Sequence, residues 1–188
     1  NVKKYMLRLF LFAIISEIPF NLIMGSSVFY PFHQNVLWTF LLGVLSIQII
    51  EKAKKKQKKW ISFFVVCLVL LMDFLLGTIT MVDYNAAGIL TVLLFYFFRK
   101  KTWISFVAQL VGLYYLNVVM LGNLYYPVTI LGHHFEIAQQ SFALLALIPI
   151  WLYHGEQGYH SKWFKYFCYA FYPVHLLILV VIWQWRIR

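Results

Sequence analysis

Seven long apolar stretches follow one another along this chain of 188 residues, with only short connections between them. A helix needs about 20 apolar residues to cross the hydrocarbon core of a bilayer, which is about 30 Å thick. Seven such helices would use about 140 residues, so no room remains for a soluble domain. We therefore predict an all-α polytopic bundle that forms one integral membrane domain over residues 1–188. The stretches cover residues 5–22, 35–51, 60–80, 84–98, 102–121, 138–153 and 163–185.

The composition supports this interpretation. Hydrophobic residues make up 63% of the chain and charged residues 12%, whereas soluble domains have about 45–50% and about 25%. The stretch at 84–98 is the shortest. Its 15 residues would form a helix only about 22 Å long. It is expected to lie deep within the bundle. The first stretch contains Arg8, Glu17 and Pro19, so that helix is expected to be tilted or partly interfacial.

The basic residues orient the predicted bundle. The chain has 16 Lys and Arg residues against 6 Asp and Glu residues, an excess that would suggest nucleic acid in a soluble protein. Here, however, the basic residues lie in brief runs between apolar stretches, and cytoplasmic loops collect such residues. Residue 1 is therefore predicted on the cytoplasmic side and residue 188 outside, with membrane lipid rather than nucleic acid as a partner. Thirteen of the basic residues fall on the predicted cytoplasmic side: Lys3, Lys4, six lysines between Lys52 and Lys59, residues 99–101, Lys162 and Lys165.

Neither the cysteines nor the histidines predict a metal site. Cys67 and Cys168 lie within apolar stretches and lack the spacing of metal ligands. The adjacent His133 and His134 have only Glu136 nearby, without a helical ligand motif.

Ionisable groups inside the apolar stretches are costly and tend to mark function. Arg8 and Glu17 are about 13 Å apart along one helix, so each must find its partner on another helix. Arg8 could reach lipid headgroups, or it could hold a phosphate or a carboxylate. Asp73 lies near the middle of the third stretch, where it could form a structural hydrogen bond between helices or relay protons or ions.

Two polar groups stand at predicted helix starts. Asp83, with Tyr84 and Asn85, opens the fourth stretch, where its carboxylate is expected to cap the helix. The cluster of His33, Gln34 and Asn35 is expected to pack against the outer ends of neighbouring helices, because polar side chains beside a bilayer seek partners.

The last stretch carries a histidine close to a proline. His175 follows Tyr172 and Pro173, and a proline inside a helix kinks it and frees a carbonyl. A neutral imidazole at this depth could act as a general base or an oxyanion donor, or it could instead bond the freed carbonyl. Between the last two stretches, His154 and Gly155 form a turn that could bind a nucleotide-like ligand together with Lys162, or simply connect two helices.

Six short motifs, in this order, resemble the TraX family, which is named for the conjugation protein that N-acetylates F pilin. The resemblance runs through essentially all 188 residues. The motifs are YMLRLF at 5–10, ISEIPF at 15–20, HQN at 33–35, DYNAAG at 83–88, YHG at 153–155 and KYFCYAFYPVHL at 165–176.

The resemblance implies a multi-pass acyltransferase of the bacterial cytoplasmic membrane. It would move an acetyl group from cytoplasmic acetyl-CoA to a peptide, glycan or lipid that the sequence does not identify. The expected catalytic residues are His175, Tyr172, Asp83 and Glu17. The residues expected to bind the donor are Arg8, His154, Gly155 and Lys162. The residues expected to bind the acetyl acceptor are His33, Gln34, Asn35 and Tyr84.

The chain departs from the family pattern in three places. Asn85 stands where the family usually has Gly, and His154 where it usually has Asn. Family members also usually carry two upstream hydrophobic segments, the first with an Asp-His pair, and this chain is expected to lack them. If that pair supplies the general base, these residues alone would be inactive. A small transporter or channel using Glu17, Asp73 and His175, and a scaffold without chemistry, are the alternative interpretations.

Overall fold

The computed structural model describes residues 1–122, 124–130, 133–156, 158–159 and 161–187. Most of these residues are helical, as predicted. The regular elements, in chain order, are α1 (Val2–Gly25), α2 (Val36–Lys56), α3 (Lys59–Ile79), α4 (Asn85–Phe97), α5 (Trp103–Tyr114), a π-helical segment (Tyr115–Met120), β1 (Tyr125–Ile130), β2 (His133–Ala138), a 3₁₀ helix (Gln139–Ala146), α6 (Leu147–Leu152) and α7 (Lys162–Ile187).

Five helices of the described chain are long and apolar enough to cross a membrane. They are α1, α2, α3, α5 with its π-helical extension, and α7. Their large apolar side chains are widely exposed: Phe63 is 66% exposed and Ile79 is 72% exposed. Lipid is the medium that accommodates such a surface. The protein is therefore embedded in a membrane.

The other two predicted spans are shorter in the structure. The helix α4 has 13 residues and is about 20 Å long at 1.5 Å per residue. Residues 139–152 combine a 3₁₀ helix of 8 residues with the 6 residues of α6. Because a 3₁₀ helix rises about 2.0 Å per residue, this segment reaches about 25 Å. Seven membrane crossings therefore stay a prediction.

The chain divides into two compact units, Asn1–Ile89 with Gln157–Arg188, and Leu90–Glu156. In the first unit, α1 packs against both α2 and α7, and α2 packs against α3. The buried side of α1 repeats at intervals of four and three residues, as expected for a packed helix face. Its members include Leu9, Ala13, Ser16 and Phe20.

Small residues let the helices of the first unit approach closely. A Cβ atom added at Gly77 of α3 would lie 2.7 Å from the backbone Cα of Ala86. The buried positions of α2 include Thr39, Gly43 and Ser46. Small side chains of this kind are typical of membrane helix interfaces, where they bring backbones together.

In the second unit, β1 and β2 pair as antiparallel strands, which the apolar stretches did not predict. Tyr125 pairs with Ala138, and Ile130 pairs with His133. Neighbouring strand residues point to opposite faces, so His133 and His134 do not converge on one point. His134 Nδ1 instead lies 2.9 Å from the hydroxyl of Thr129.

Candidate functional site

A cluster of polar side chains lies in the first unit where α1, the start of α2, the segment before α4, and α7 come together. It contains Glu17, His33, Asn35, Asp83 and Tyr172, all of which the sequence analysis had singled out. Asn35 is fully buried, while His33 and Asp83 keep part of their side chains exposed. The site is thus held by buried contacts and has an accessible side.

The central contact of this polar cluster joins His33 to Asp83. Nε2 of the imidazole lies 3.1 Å from Oδ1 of the carboxylate. The side chains are 36% and 22% exposed, so small molecules can reach the pair. An ionised carboxylate only accepts hydrogen bonds, so Nε2 carries the hydrogen and Nδ1 of a neutral imidazole is a proton acceptor. This arrangement is that of a carboxylate-oriented general base.

The carboxylate of Glu17 is bound by two side chains at the start of α2. Its Oε2 accepts hydrogen bonds from Trp38 Nε1, at 3.0 Å, and from the Asn35 amide. Its Oε1 is buried and has no hydrogen-bond partner among the described residues. The prediction that Glu17 pairs with another helix is therefore confirmed.

Asn35 connects α1 to the start of α2. Its amide nitrogen donates to the carbonyl of Ala13 at 2.9 Å and to Glu17. Its Oδ1 accepts from the backbone amide of Leu37 at 3.1 Å, which caps α2. The amide thus uses both of its donor hydrogens between helices, and the predicted contacts of His33 and Asn35 with neighbouring elements are confirmed.

The segment that carries Asp83 has an unusual backbone. Met81, Tyr84 and Asn85 have positive φ angles of 51°, 60° and 47°, a conformation that costs free energy outside glycine and asparagine. Two hydrogen bonds hold this segment to α2 and the residues before it: Gln34 N to Met81 O at 2.9 Å, and Thr39 Oγ1 to Asp83 O at 2.8 Å.

Two positions of the DYNAAG motif follow from this conformation. Asn tolerates the left-handed region, so Asn85 fits the position where the resemblance expects Gly. A Cβ atom at Gly88 would lie 2.9 Å from Asp83 O and 2.7 Å from Thr39 Cγ2, so a side chain there would displace the site. Burial, and secondly the charge of Asp83, raise the pKa of the neighbouring Tyr84.

Tyr172 and His175 are the two candidates on α7. The phenol of Tyr172 faces the backbone of Val36 and lies within electrostatic range of Asp83 and Glu17. His175 Nδ1 lies 3.1 Å from the carbonyl oxygen of Phe171, and their rings stack at 5.2 Å. Because a carbonyl only accepts, Nδ1 carries the hydrogen. This structural bond leaves Nε2 available as an acceptor.

The remaining candidates lie elsewhere. Arg8 Nη1 donates to the hydroxyl of Tyr169 on α7 at 2.6 Å, which confirms that Arg8 has its partner on another helix. Lys162 is the first residue of α7. The side chain of Gln34 donates to Pro31 O at 3.0 Å. In the second unit, His154 is exposed beside Gly155, whose φ of 82° confirms a turn.

Sequence reasoning missed three side chains that hold the candidate residues. The indole of Trp38 donates to Glu17. Thr39 and Tyr169 were not singled out individually. A part-buried carboxyl group needs hydrogen-bond donors nearby, and that requirement is the signal that could have pointed to Trp38. Over the residues that the structure describes, no group of three or more His, Cys, Asp or Glu side chains could hold a metal ion.

Comparison with known proteins gives one family. The family described as "TraX protein" matches residues 1–183. No curated protein and no solved structure matches the chain. The matched range contains the six motifs and every residue of the polar cluster. The chain belongs to the TraX family.

Proposed function

We propose that this protein is a membrane acyltransferase that moves an acetyl group from acetyl-CoA to an amine or hydroxyl of a peptide, glycan or lipid. The observation that carries this proposal is the contact of 3.1 Å between His33 and Asp83. A half-exposed imidazole oriented by a carboxylate, within an otherwise apolar bundle, suits general-base catalysis. Membership of the TraX family supports the acetyl group and the CoA thioester as substrates.

The chemistry follows from the free nitrogen of His33. Nδ1 takes a proton from the attacking amine or hydroxyl, whose lone pair forms a bond to the thioester carbonyl carbon. The resulting imidazolium is stabilised by Asp83 at 3.1 Å. The carbon–sulfur bond then breaks, and the CoA thiolate leaves and takes up the proton from His33. The acetyl group is then attached to its acceptor.

Tyr172 is the side chain proposed to stabilise the tetrahedral intermediate. Its phenol belongs to the same cluster, near Asp83 and Glu17, and a hydroxyl donor aimed at the developing oxyanion lowers the barrier. Glu17 is proposed to keep the start of α2 in place through Asn35 and Trp38. His175, with its free Nε2, is the second candidate for the base.

Arg8 is proposed to bind a phosphate of CoA. It lies about 13 Å along α1 from Glu17, toward the predicted cytoplasmic end, and its guanidinium is held by Tyr169. Guanidinium groups suit phosphate because their donors match its oxygens. Lys162 adds a positive charge at the same predicted membrane side. In the second unit, the turn at His154 and Gly155 stays a candidate for nucleotide binding.

The distribution of basic residues bears on which side of the membrane each part of the protein faces. Thirteen basic residues on one predicted side favour a cytoplasmic N-terminus in a bacterial inner membrane. The donor would then bind at the inner face, and the His33–Asp83 pair would lie toward the outer face. The acetyl group would thus reach an acceptor across or within the membrane.

Radiolabelled acetyl-CoA tests the proposal with the full-length protein in inside-out membrane vesicles. We expect label in one of the protein, glycan or lipid fractions. His33→Gln should lower incorporation by about 100-fold or more, the usual scale for a lost base. The matched control is His134→Gln, a strand residue of the second unit, which should retain incorporation. Equal incorporation by His33→Gln and the unmodified protein would remove the pair from the mechanism.

A further inference from the structure

A second buried carboxyl group lies outside the polar cluster. Asp73 belongs to α3, the most hydrophobic of the five long helices, with a mean hydropathy of 2.4. Its exposed fraction is only 4%. The mechanism proposed above does not use this side chain, so its presence in an apolar helix needs another explanation.

Among the described residues, Asp73 has one hydrogen-bond partner. Ser46 of α2, itself 5% exposed, donates its hydroxyl to Oδ1 at 2.7 Å. The other oxygen, Oδ2, is buried and has no partner among the described residues. Within the same residues, the structure gives Asp73 no contact with a Lys, Arg or His side chain. A carboxylate here would therefore lack a counter-charge.

The surroundings seal the group from water. Val69 and Gly77, one turn to either side on α3, are buried, and Gly43 and Ile50 flank Ser46 on the buried side of α2. An ion without a partner in such a site is far more costly than a neutral acid. The site therefore favours the protonated carboxyl group.

We propose that Asp73 and Ser46 form a proton-binding site between α2 and α3, separate from the His33–Asp83 pair, and that Asp73 holds its proton at neutral pH. A proton fits this site better than a divalent metal cation, because divalent ions take about six oxygen ligands and, among the described residues, Ser46 is the only polar side chain that bonds Asp73. A buried protonated carboxyl group is also the species that reacts with hydrophobic carbodiimides.

The titratable groups on α2 and α3 lie more than one helical turn along their own helix from Ser46 or Asp73. On α2, Glu51 lies about 7.5 Å along the helix from Ser46, and the lysines follow it. On α3, Cys67 is exposed about 9 Å away, and Lys59 lies about 21 Å away. Burial and Ser46 therefore govern the proton on Asp73.

Dicyclohexylcarbodiimide tests this proposal with the full-length protein in membranes. The carboxyl proton moves to a nitrogen of the reagent, and the carboxylate oxygen bonds to its central carbon. The adduct then rearranges to a stable N-acylurea that keeps the whole reagent. Mass spectrometry with fragmentation locates the adduct. We expect modification of Asp73 at pH 7, and its absence there would overturn the proposal.

Two variants sharpen the test. Asp83→Asn should keep the adduct on Asp73, since the two sites are separate, and loss of the adduct would contradict that separation. Ser46→Ala removes a donor that favours the charged carboxylate, so modification should persist to a higher pH than in the unmodified protein. Modification that ends at the same or a lower pH would contradict the role of Ser46.

A separate experiment tests whether Asp73 binds a metal cation instead of a proton. Sodium chloride, with potassium chloride at equal ionic strength as the control, is added at constant pH before the reagent. A proton site should be modified equally in both salts. If sodium chloride alone prevented the modification of Asp73, the site would bind sodium and the proposal of a proton site would be wrong. None of these results depends on acetyl transfer, so the proposal can fail while the proposed function stands.

Discussion

Nε2 of His33 lies 3.1 Å from Oδ1 of Asp83, although 50 residues separate them along the chain. The contact depends on the strained segment 81–85, which two hydrogen bonds hold against residues 34 and 39. Left-handed backbone outside glycine costs about 1–3 kcal/mol per residue. Placing this carboxylate beside the imidazole therefore lowers the stability of the fold, as is common at functional sites.

Asp83→Asn and His33→Gln are expected to impair acetyl transfer through one shared mechanism. Each single variant should lower the rate by about 100-fold or more. The double variant should be only slightly slower than either single variant, because residues that act as a unit are not additive. Rates of label incorporation in vesicles measure this.

His175 on α7 is the second histidine to compare with the variants of His33 and Asp83. His175→Gln should add its own loss to that of His33→Gln if it acts independently, and no extra loss if it belongs to the same unit. If His175→Gln abolishes transfer while His33→Gln does not, the base is His175 and the assignment to His33 is wrong.

Trp38→Phe is expected to destabilise the first unit. It removes the indole N–H that Glu17 accepts at 3.0 Å, while a phenyl ring can keep the edge contact with Phe10. A typical hydrogen bond contributes about 0.5–1.5 kcal/mol, and the free energy of unfolding should fall by about that amount. Denaturant unfolding in detergent micelles measures it.

Trp103→Phe is the matched control for Trp38. This ring is 76% exposed and stacks on Phe106. Its replacement should change the free energy of unfolding by less than about 0.5 kcal/mol. Equal losses at the two positions would show that the indole of Trp38 matters for its size and not for its hydrogen bond.

Continuous apolar stretches predicted the long helices well, because a helix that faces lipid must be apolar along its length. Ionisable groups are conspicuous beside such stretches, which singled out Glu17 and Asp83, whereas the catalytic role of Tyr172 was expected from the resemblance. The stretches did not predict that Glu17 meets Trp38, because that pairing depends on how α1 crosses α2. The pairing of β1 with β2 was missed for a different reason: aromatic and β-branched residues near a membrane also suit an interfacial loop.

Reporter fusions are expected to distinguish seven crossings from five. In a seven-span topology, reporters at Lys56 and Lys100 are both cytoplasmic, and one after Arg188 is external. If α4, with 13 residues, re-entered on the side where it began, Lys100 would lie outside. We expect the cytoplasmic result, because residues 99–101 are all basic. An external reading at Lys100 would exclude a membrane crossing by α4.

Gly77→Ala is expected to disturb both stability and the site. Its new Cβ atom would lie 2.7 Å from the Cα of Ala86 and 2.8 Å from its nitrogen, and backbone atoms cannot move aside as a flexible side chain can. Helix propensity alone favours Ala over Gly by about 1 kcal/mol, whereas overpacking costs about 1–3 kcal/mol. A net loss in the free energy of unfolding therefore reports the contact itself.

Gly158→Ala is the control for Gly77, because a Cβ atom there would have no atom within 4 Å. It should leave both unfolding and acetyl transfer unchanged. In Gly77→Ala, the start of α4 must shift away from α3, and Asp83 lies two residues before that helix. Transfer should therefore fall together with stability. Full stability and full transfer in Gly77→Ala would mean that α3 and α4 do not approach as closely as described.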